Sequence, residues 1–240
     1  MANRYKKKHG FIFKGFKNIF KLFKKKPTII NRNETFPNQA LFVSNHSAAS
    51  GPMILSLYFP VYFIPWGAHQ MTGNYKARWN YLYYIFYQKK LGYSKFKSFI
   101  ISTLFAIISK LLYNAMKLIP TYEDPRLIKT FRMSKEAINN NRSLLIFPED
   151  SNSGYHEYLL KYNPGFIAFV QYYYRKTKLD LPIYPIYFHK KLNAMIIDKP
   201  IFIQPLLAEG KSREEIAEYF RDVTNELGRE LIEALAKLEK

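Results

Sequence analysis

Apolar runs with strand-like and helix-like spacing alternate along this chain. Ala40 to Ser44 (A-L-F-V-S) has the length and composition of a buried strand and runs directly into Asn45-His46. Pro52 to Leu57 predicts one or two helical turns, and Val61 to Pro65 a second strand. From Arg78 to Leu118 the pattern is helical and very aromatic, most apolar between Phe99 and Ser109. Leu127 to Asn140 predicts a helix that stops at Asn139-Asn140-Asn141. A strand at Ser143 to Phe147, a loop from Pro148 to Tyr155, a helix near Phe166 to Tyr174 and strands at Pro182 to Tyr187 and Ala194 to Ile197 follow. Ser212 with Glu215 three residues on is a capping box, opening a last helix with one stripe of Ile216, Phe220, Val223, Leu227, Leu231, Leu235 and Leu238. Alternation of this kind predicts a single α/β domain, a central mixed sheet flanked by helices, over residues 40–205. Residues 206–240 would be a helix packed on it, and 27–39, polar and holding Pro27 and Pro37, a connector.

Charge changes the picture at the N-terminus. Residues 1–26 hold ten Lys/Arg and no acid, whereas residues 209–240 hold nine of the 18 acids against six bases. At ~100° per residue, Ile12, Phe13, Phe16, Ile19, Phe20 and Phe23 share an arc of about 120°, with Lys14, Lys17, Lys21 and Lys24 beside it. An aromatic face flanked by lysines suits the surface of an anionic membrane, where rings sink below headgroups and ammonium groups meet lipid charge. Residues 1–26 are therefore expected to be an amphipathic membrane-surface helix, and their deletion to release a folded domain from vesicles. A core helix with a solvated lysine face is the plainer alternative. The formal net charge of +19 also admits nucleic acid, but no zinc ligand set or glycine-flanked aromatic RNA motif accompanies it; no nucleic-acid partner is expected.

The chain of 240 residues contains no Cys, which excludes a disulfide scaffold, a thiolate zinc site and cysteine catalysis. No uninterrupted run of ~20 apolar residues argues for a spanning helix, and no signal-peptide pattern argues for secretion. No metal site is expected either, since His46, Glu149 and Asp150 lack a second His at ligand spacing.

Three segments carry the candidate chemistry: Ser44-Asn45-His46-Ser47-Ala48-Ala49-Ser50-Gly51-Pro52, Leu145-Ile146-Phe147-Pro148-Glu149-Asp150-Ser151-Asn152-Ser153, and Leu181-Pro182-Ile183-Tyr184-Pro185-Ile186. In this order they resemble the glycerolipid acyltransferases, the lysophospholipid or 1-acylglycerol-3-phosphate acyltransferase family. Its motifs read N-H-x-x-x-x-D, F-P-E-G-T-R-S and a proline-flanked strand such as V-P-I-x-P-V. Asp198-Lys199-Pro200-Ile201 echoes its G-x-P-I ending, and the resemblance covers about residues 38–205. It implies acyl transfer from a thioester carrier, acyl-CoA or acyl carrier protein, to a hydroxyl of a lysophospholipid in phospholipid biosynthesis. The implied enzyme uses no cofactor and works peripherally on the cytoplasmic side of the cell membrane. His46 would be the general base, with Glu149 and Asp150 as catalytic carboxylates. Asn45, Arg126, Pro148, Ser151, Asn152 and Lys161 would bind substrate.

The chain departs from that pattern twice. Gly51 stands where the family has the Asp that orients the imidazole. Glu123 stands near the second-motif Arg, with Arg126 three residues on, and Asn152 replaces the third-motif Arg. A phosphate would then need Arg126, Lys161 or a neighbouring lysine. A base must present one neutral nitrogen and fix its tautomer through the other. Asp150, Glu149 or a backbone carbonyl is therefore expected within ~3.2 Å of the second ring nitrogen. With only a carbonyl there, Gly51→Asp is expected to raise turnover. Rival readings are a lipid-binding relative without catalysis, a basic nucleic-acid binder, and a hydrolase using His46 with Ser47 or Ser50. The aromatic belt Tyr81 to Tyr93 could be core, membrane contact or acyl tunnel.

Overall fold

The computed structural model describes residue 5 and residues 11–238. Leu41–Ser44 (β2) and Ser143–Ile146 (β5), every residue buried, lie side by side in parallel with Val43 opposite Ile146. Around them the chain builds a seven-stranded sheet in the order β1-β7-β6-β2-β5-β3-β4. Its other strands are Thr28–Asn31 (β1), Phe63–Ala68 (β3), Ile119–Thr121 (β4), Ile183–His189 (β6) and Ala194–Ile197 (β7). All pairings are parallel except β6 with β7, so the sheet is mixed.

Alternation along each strand divides the core between two faces. Leu41, Val43, Leu144 and Ile146 join one cluster with Phe166, Phe169 and Phe220, while Phe42 and Leu145 join another with Leu55, Phe59 and Tyr184. Helices cover both faces: Ser50–Tyr58 (α2), Leu127–Asn139 (α5), Gly165–Thr177 (α6) and Arg213–Leu238 (α8). The capping box forms as expected. The Ser212 N–H donates to Glu215 Oε2 at 2.7 Å, and the Glu215 N–H to Ser212 Oγ at 3.2 Å.

The structure differs from the sequence pattern most in the following places. Residues 28–31 of the connector form edge strand β1, paired with β7. The second strand begins two residues later than expected and extends to Ala68. Phe11–Phe23 is a helix (α1), but Phe13 is buried and Phe16 and Phe20 are half-buried, while Ile19, Leu22 and Phe23 are exposed. Tyr5 is buried in the main core, and its carbonyl accepts from Arg142 Nε at 3.0 Å. Burial thus ties Tyr5 and Phe13 to the domain, and removing them would cost about 3 kcal/mol or more each. The charged segment's Arg4, Lys6, Lys7 and Lys8 lie outside the described residues. Finally, the apolar part of the aromatic region lies within a helix of 21 residues, Lys95–Ala115 (α4). Among the described residues it is the one helix long and apolar enough to cross a membrane by length and composition. Tyr75–Asn80 (α3) and a π-helical stretch, Tyr81–Lys90, lead into it.

Candidate active site

In an open parallel sheet, ligands bind beyond the carboxyl ends of the strands. At the end of β2 the Asn45 side chain acts as an extra rung of sheet. Its Oδ1 accepts from the Phe188 N–H at 2.8 Å and its Nδ2 donates to the Phe188 carbonyl at 3.0 Å. Asn45 is buried, so its amide holds β2 to β6 and positions the next residue, His46. Three residues past the Val43–Ile146 pair, on each strand, stand His46 and Glu149. Glu149 Oε2 accepts from the His46 backbone N–H at 2.8 Å. The imidazole lies against Tyr155, stacked at 4.7 Å and 21°, and meets the edge of Phe147 at 5.0 Å.

That enclosure sets the electrostatics. Burial pushes the His46 imidazole down to about 4, the Ala48 backbone opposing and the Lys90 ammonium adding to it. Burial pushes the Glu149 carboxyl up to about 7 against the backbone N–H groups of His46 and His156 and the Lys90 charge. At neutral pH, therefore, His46 is an unprotonated base. Glu149 Oε1 is buried and makes no hydrogen bond of standard geometry among the described residues.

Among the described residues no carboxylate hydrogen-bonds the His46 ring. Nδ1 is buried and makes no hydrogen bond of standard geometry among the described residues, so neither of the expected carboxylates, Asp150 or Glu149, holds it, and of the expected acceptors a backbone one, at Ala48, acts on the ring. Glu149 is spent on the His46 backbone instead. Asp150 closes a turn of its own loop, Oδ1 accepting from the Asn152 N–H at 3.1 Å. Ala48 acts on the ring with the sign of an acceptor without meeting hydrogen-bond geometry. Nor is there a vacancy at position 51. A Cβ on Gly51 would fall well inside contact distance of the His46 carbonyl oxygen, with the carbonyl carbon at 3.0 Å and the Asn45 oxygen at 3.4 Å. The loop folds back this tightly through Ser47 and Ala48, whose φ values of 44° and 56° are left-handed. The expectation that Gly51→Asp would raise turnover is therefore corrected: the aspartate has no room.

The remaining predicted residues divide. Pro148 is buried and its carbonyl accepts from the Asn163 N–H at 2.8 Å, which shapes the loop. Ser151 is buried beside the site, Asn152 is exposed on the same loop, and Lys161 is exposed, its carbonyl accepting from the Asp150 N–H at 3.0 Å. Arg126 is held elsewhere. It bonds Asp124 through Nε at 2.9 Å and Nη2 at 2.6 Å and stacks on Tyr122, after β4. That strand is three places from β2, about 14 Å at the usual strand spacing. Sequence reasoning missed Lys90. At the end of the π-helical stretch its Nζ donates to Ser151 Oγ at 2.7 Å, and Glu123, Asp150 and Glu149 all act on its charge. Only the Lys89-Lys90 pair marks it in the sequence, and such pairs read as solvated surface. Among the described residues no three His, Asp or Glu side chains gather as a metal set.

Glu149 gives the site a measurable pH signature. Its folded value, about 7, lies above the ordinary 4.5, so its contribution to stability is fully present below about pH 4.5 and is lost as pH rises through about 7. Glu149→Gln keeps an acceptor oxygen for the His46 N–H and cannot ionise. Denaturant midpoints from pH 4.5 to 8 should fall more for the wild type than for the variant; parallel curves would remove the burial argument.

A central sheet with His after one strand and F-P-E after its parallel neighbour is the architecture the acyltransferase resemblance implies, and the chain has that α/β fold. No family model matches the chain, and no curated protein sequence matches it. Among solved structures it is similar to the 1-acyl-sn-glycerophosphate (LPA) acyltransferase PlsC from Thermotoga maritima. The TM-score is 0.54 at 12% identity, over 92% of this chain and 79% of that one. At that identity the likeness shows the fold.

Proposed function

We propose that this chain is a glycerolipid acyltransferase, transferring a fatty acyl group from a thioester carrier to the hydroxyl of a lysophospholipid. The observation that carries the reading is His46 at the carboxyl edge of β2, beside Glu149 from the parallel strand β5, in a fold shared with an acylglycerophosphate acyltransferase. In the reaction His46 Nε2 takes the proton of the acceptor hydroxyl as its oxygen attacks the thioester carbonyl. The tetrahedral intermediate collapses with loss of the thiolate, which recovers the proton from the imidazolium. Nδ1 carries the ring's own proton throughout, with the Ala48 backbone the acceptor that acts on the ring. The step calls for no metal and no cofactor.

The enzyme would work as a peripheral protein on the cytoplasmic side of the cell membrane, on anionic lipid, in phospholipid biosynthesis. A second reading is a lipid-binding relative without catalysis, favoured by the unpartnered His46 Nδ1 and the filled space at Gly51. The two separate in one assay. Purified protein is incubated with acyl-CoA or acyl carrier protein donors and lysophospholipids of several headgroups, and new diacyl lipid is read by mass spectrometry. Product from at least one pair is expected; lipid binding without product from any pair would establish the second reading.

A further inference from the structure

Helix α4 is packed inside out. Its small residues Ser98, Ser102, Ala106 and Ser109 are buried, while Phe96, Phe99, Ile100, Leu104, Ile107 and Leu111 are exposed, Phe96 to 76% and Leu104 to 63%. Specific bonds fix this orientation. The buried Arg78 donates to the Ala106 carbonyl through Nε at 3.2 Å and Nη2 at 3.0 Å, and Trp79 Nε1 donates to Thr103 Oγ1 at 3.0 Å. The helix therefore cannot roll its large side chains inward without breaking the bonds made by its inner face. Helix α1 packs against it and adds exposed Ile19, Leu22 and Phe23. An exposed apolar stripe about 23 Å long, from Phe96 to Leu111, needs an occupant.

Charge selects the occupant. Residues 1–122 carry 19 Lys/Arg and a single acid, Glu34, whereas residues 123–240 carry 18 Lys/Arg and 17 acids. Nearly all the net charge thus belongs to the half of the chain that contains α1 and α4. Lys95, Lys97 and Lys110 lie on α4 itself, which has no acid. A second copy would bring the same cationic half against this one, whereas an anionic bilayer offers both the apolar phase and the opposite charge. We infer that α4 is a membrane-docking helix, lying in the plane of an anionic leaflet with its large apolar side chains immersed and its serine stripe on the protein. It does not span, because its other face is committed to α1, α3 and the π-helical stretch. That stretch ends at Lys90, bonded to Ser151 beside His46, so docking and reactive edge are joined through packed residues. The inference deepens the membrane side of the proposed function by assigning a docking face to α4 in addition to α1.

The absence of Cys makes single labels unambiguous. Phe96→Cys, Leu104→Cys and Leu111→Cys, with Glu218→Cys on α8 as control, would carry an environment-sensitive fluorophore or a spin label on the full chain. With vesicles of equal parts phosphatidylglycerol and phosphatidylcholine, the three α4 labels should become apolar and reach one shallow depth, and the α8 label should stay in water. Leu104→Glu with Ile107→Glu should weaken vesicle partition by roughly 100-fold, without lowering the thermal midpoint, because both positions are exposed. Aqueous α4 labels on vesicles overturn the proposal. So does a depth profile deepest at Leu104 with Phe96 and Leu111 at the two surfaces, which means a span. Protection without vesicles together with a dimer in sedimentation overturns it in favour of a second copy. None of these readings needs turnover, so an inactive protein that docks through α4 would sink the acyltransferase reading alone.

Discussion

Gly51→Asp will not rescue the acyltransferase pattern; it will cost about 3 kcal/mol or more and lower whatever turnover the wild type has. The reason is backbone against backbone. The position is on the first turn of α2, and the atom an added side chain meets is the His46 carbonyl oxygen, which cannot swing aside as a flexible side-chain end would. Making room means shifting either α2, held by Ile54 and Leu55 in the core, or the left-handed pair Ser47-Ala48 that sets the His46 ring. Either movement disturbs the Glu149 bond to the His46 N–H. The thermal midpoint should drop by about 6–12 °C for a chain of this size. Gly51→Ala should show much of the same loss, since the clash begins at Cβ. A Gly51→Asp protein as stable as the wild type and faster would show that the loop relaxes and that a carboxylate was wanted there.

Much of this site could be read before any coordinates. Two short apolar strands ending in Asn45-His46 and Phe147-Pro148-Glu149 suffice to bring base and carboxyl to one sheet edge, because parallel neighbours in register end together. The missing aspartate was equally legible. What the sequence did not disclose was how its space is filled, since only the run of small residues from Ser47 to Gly51 hints that backbone can pack on backbone. Lys90 stayed hidden because a π-helical stretch has neither of the periods that pattern reading tests, and its packing decides which lysine turns inward. The buried face of α4 stayed hidden for a related reason. A stripe of Ser98, Ser102 and Ser109 reads as a wet face, but small hydroxyls can bond back to nearby carbonyls, as Ser109 does to Ala106 at 3.3 Å, and so be buried. Strand β1 is four residues in a polar stretch, and it forms because β7 offers an edge.

The largest effect on rate is expected from His46→Ala. General-base catalysis is worth typically 10²–10⁴-fold, and no other described group is placed to replace it: Glu149 is turned onto the His46 backbone and Asp150 onto its own loop. Its effect on folding should be small, about 1 kcal/mol, because the ring makes no hydrogen bond among the described residues and contributes mainly its contacts with Tyr155 and Phe147. Vesicle binding should be unchanged. The decisive measurement follows thiol release and diacyl lipid formation together, for wild type and His46→Ala, on vesicles carrying the best lysophospholipid acceptor. The account predicts one thiol released per diacyl lipid formed by the wild type, and a rate at least about 100-fold lower in the variant at an equal thermal midpoint. Equal rates in the two proteins, or thiol release with free fatty acid in place of diacyl lipid, would contradict it.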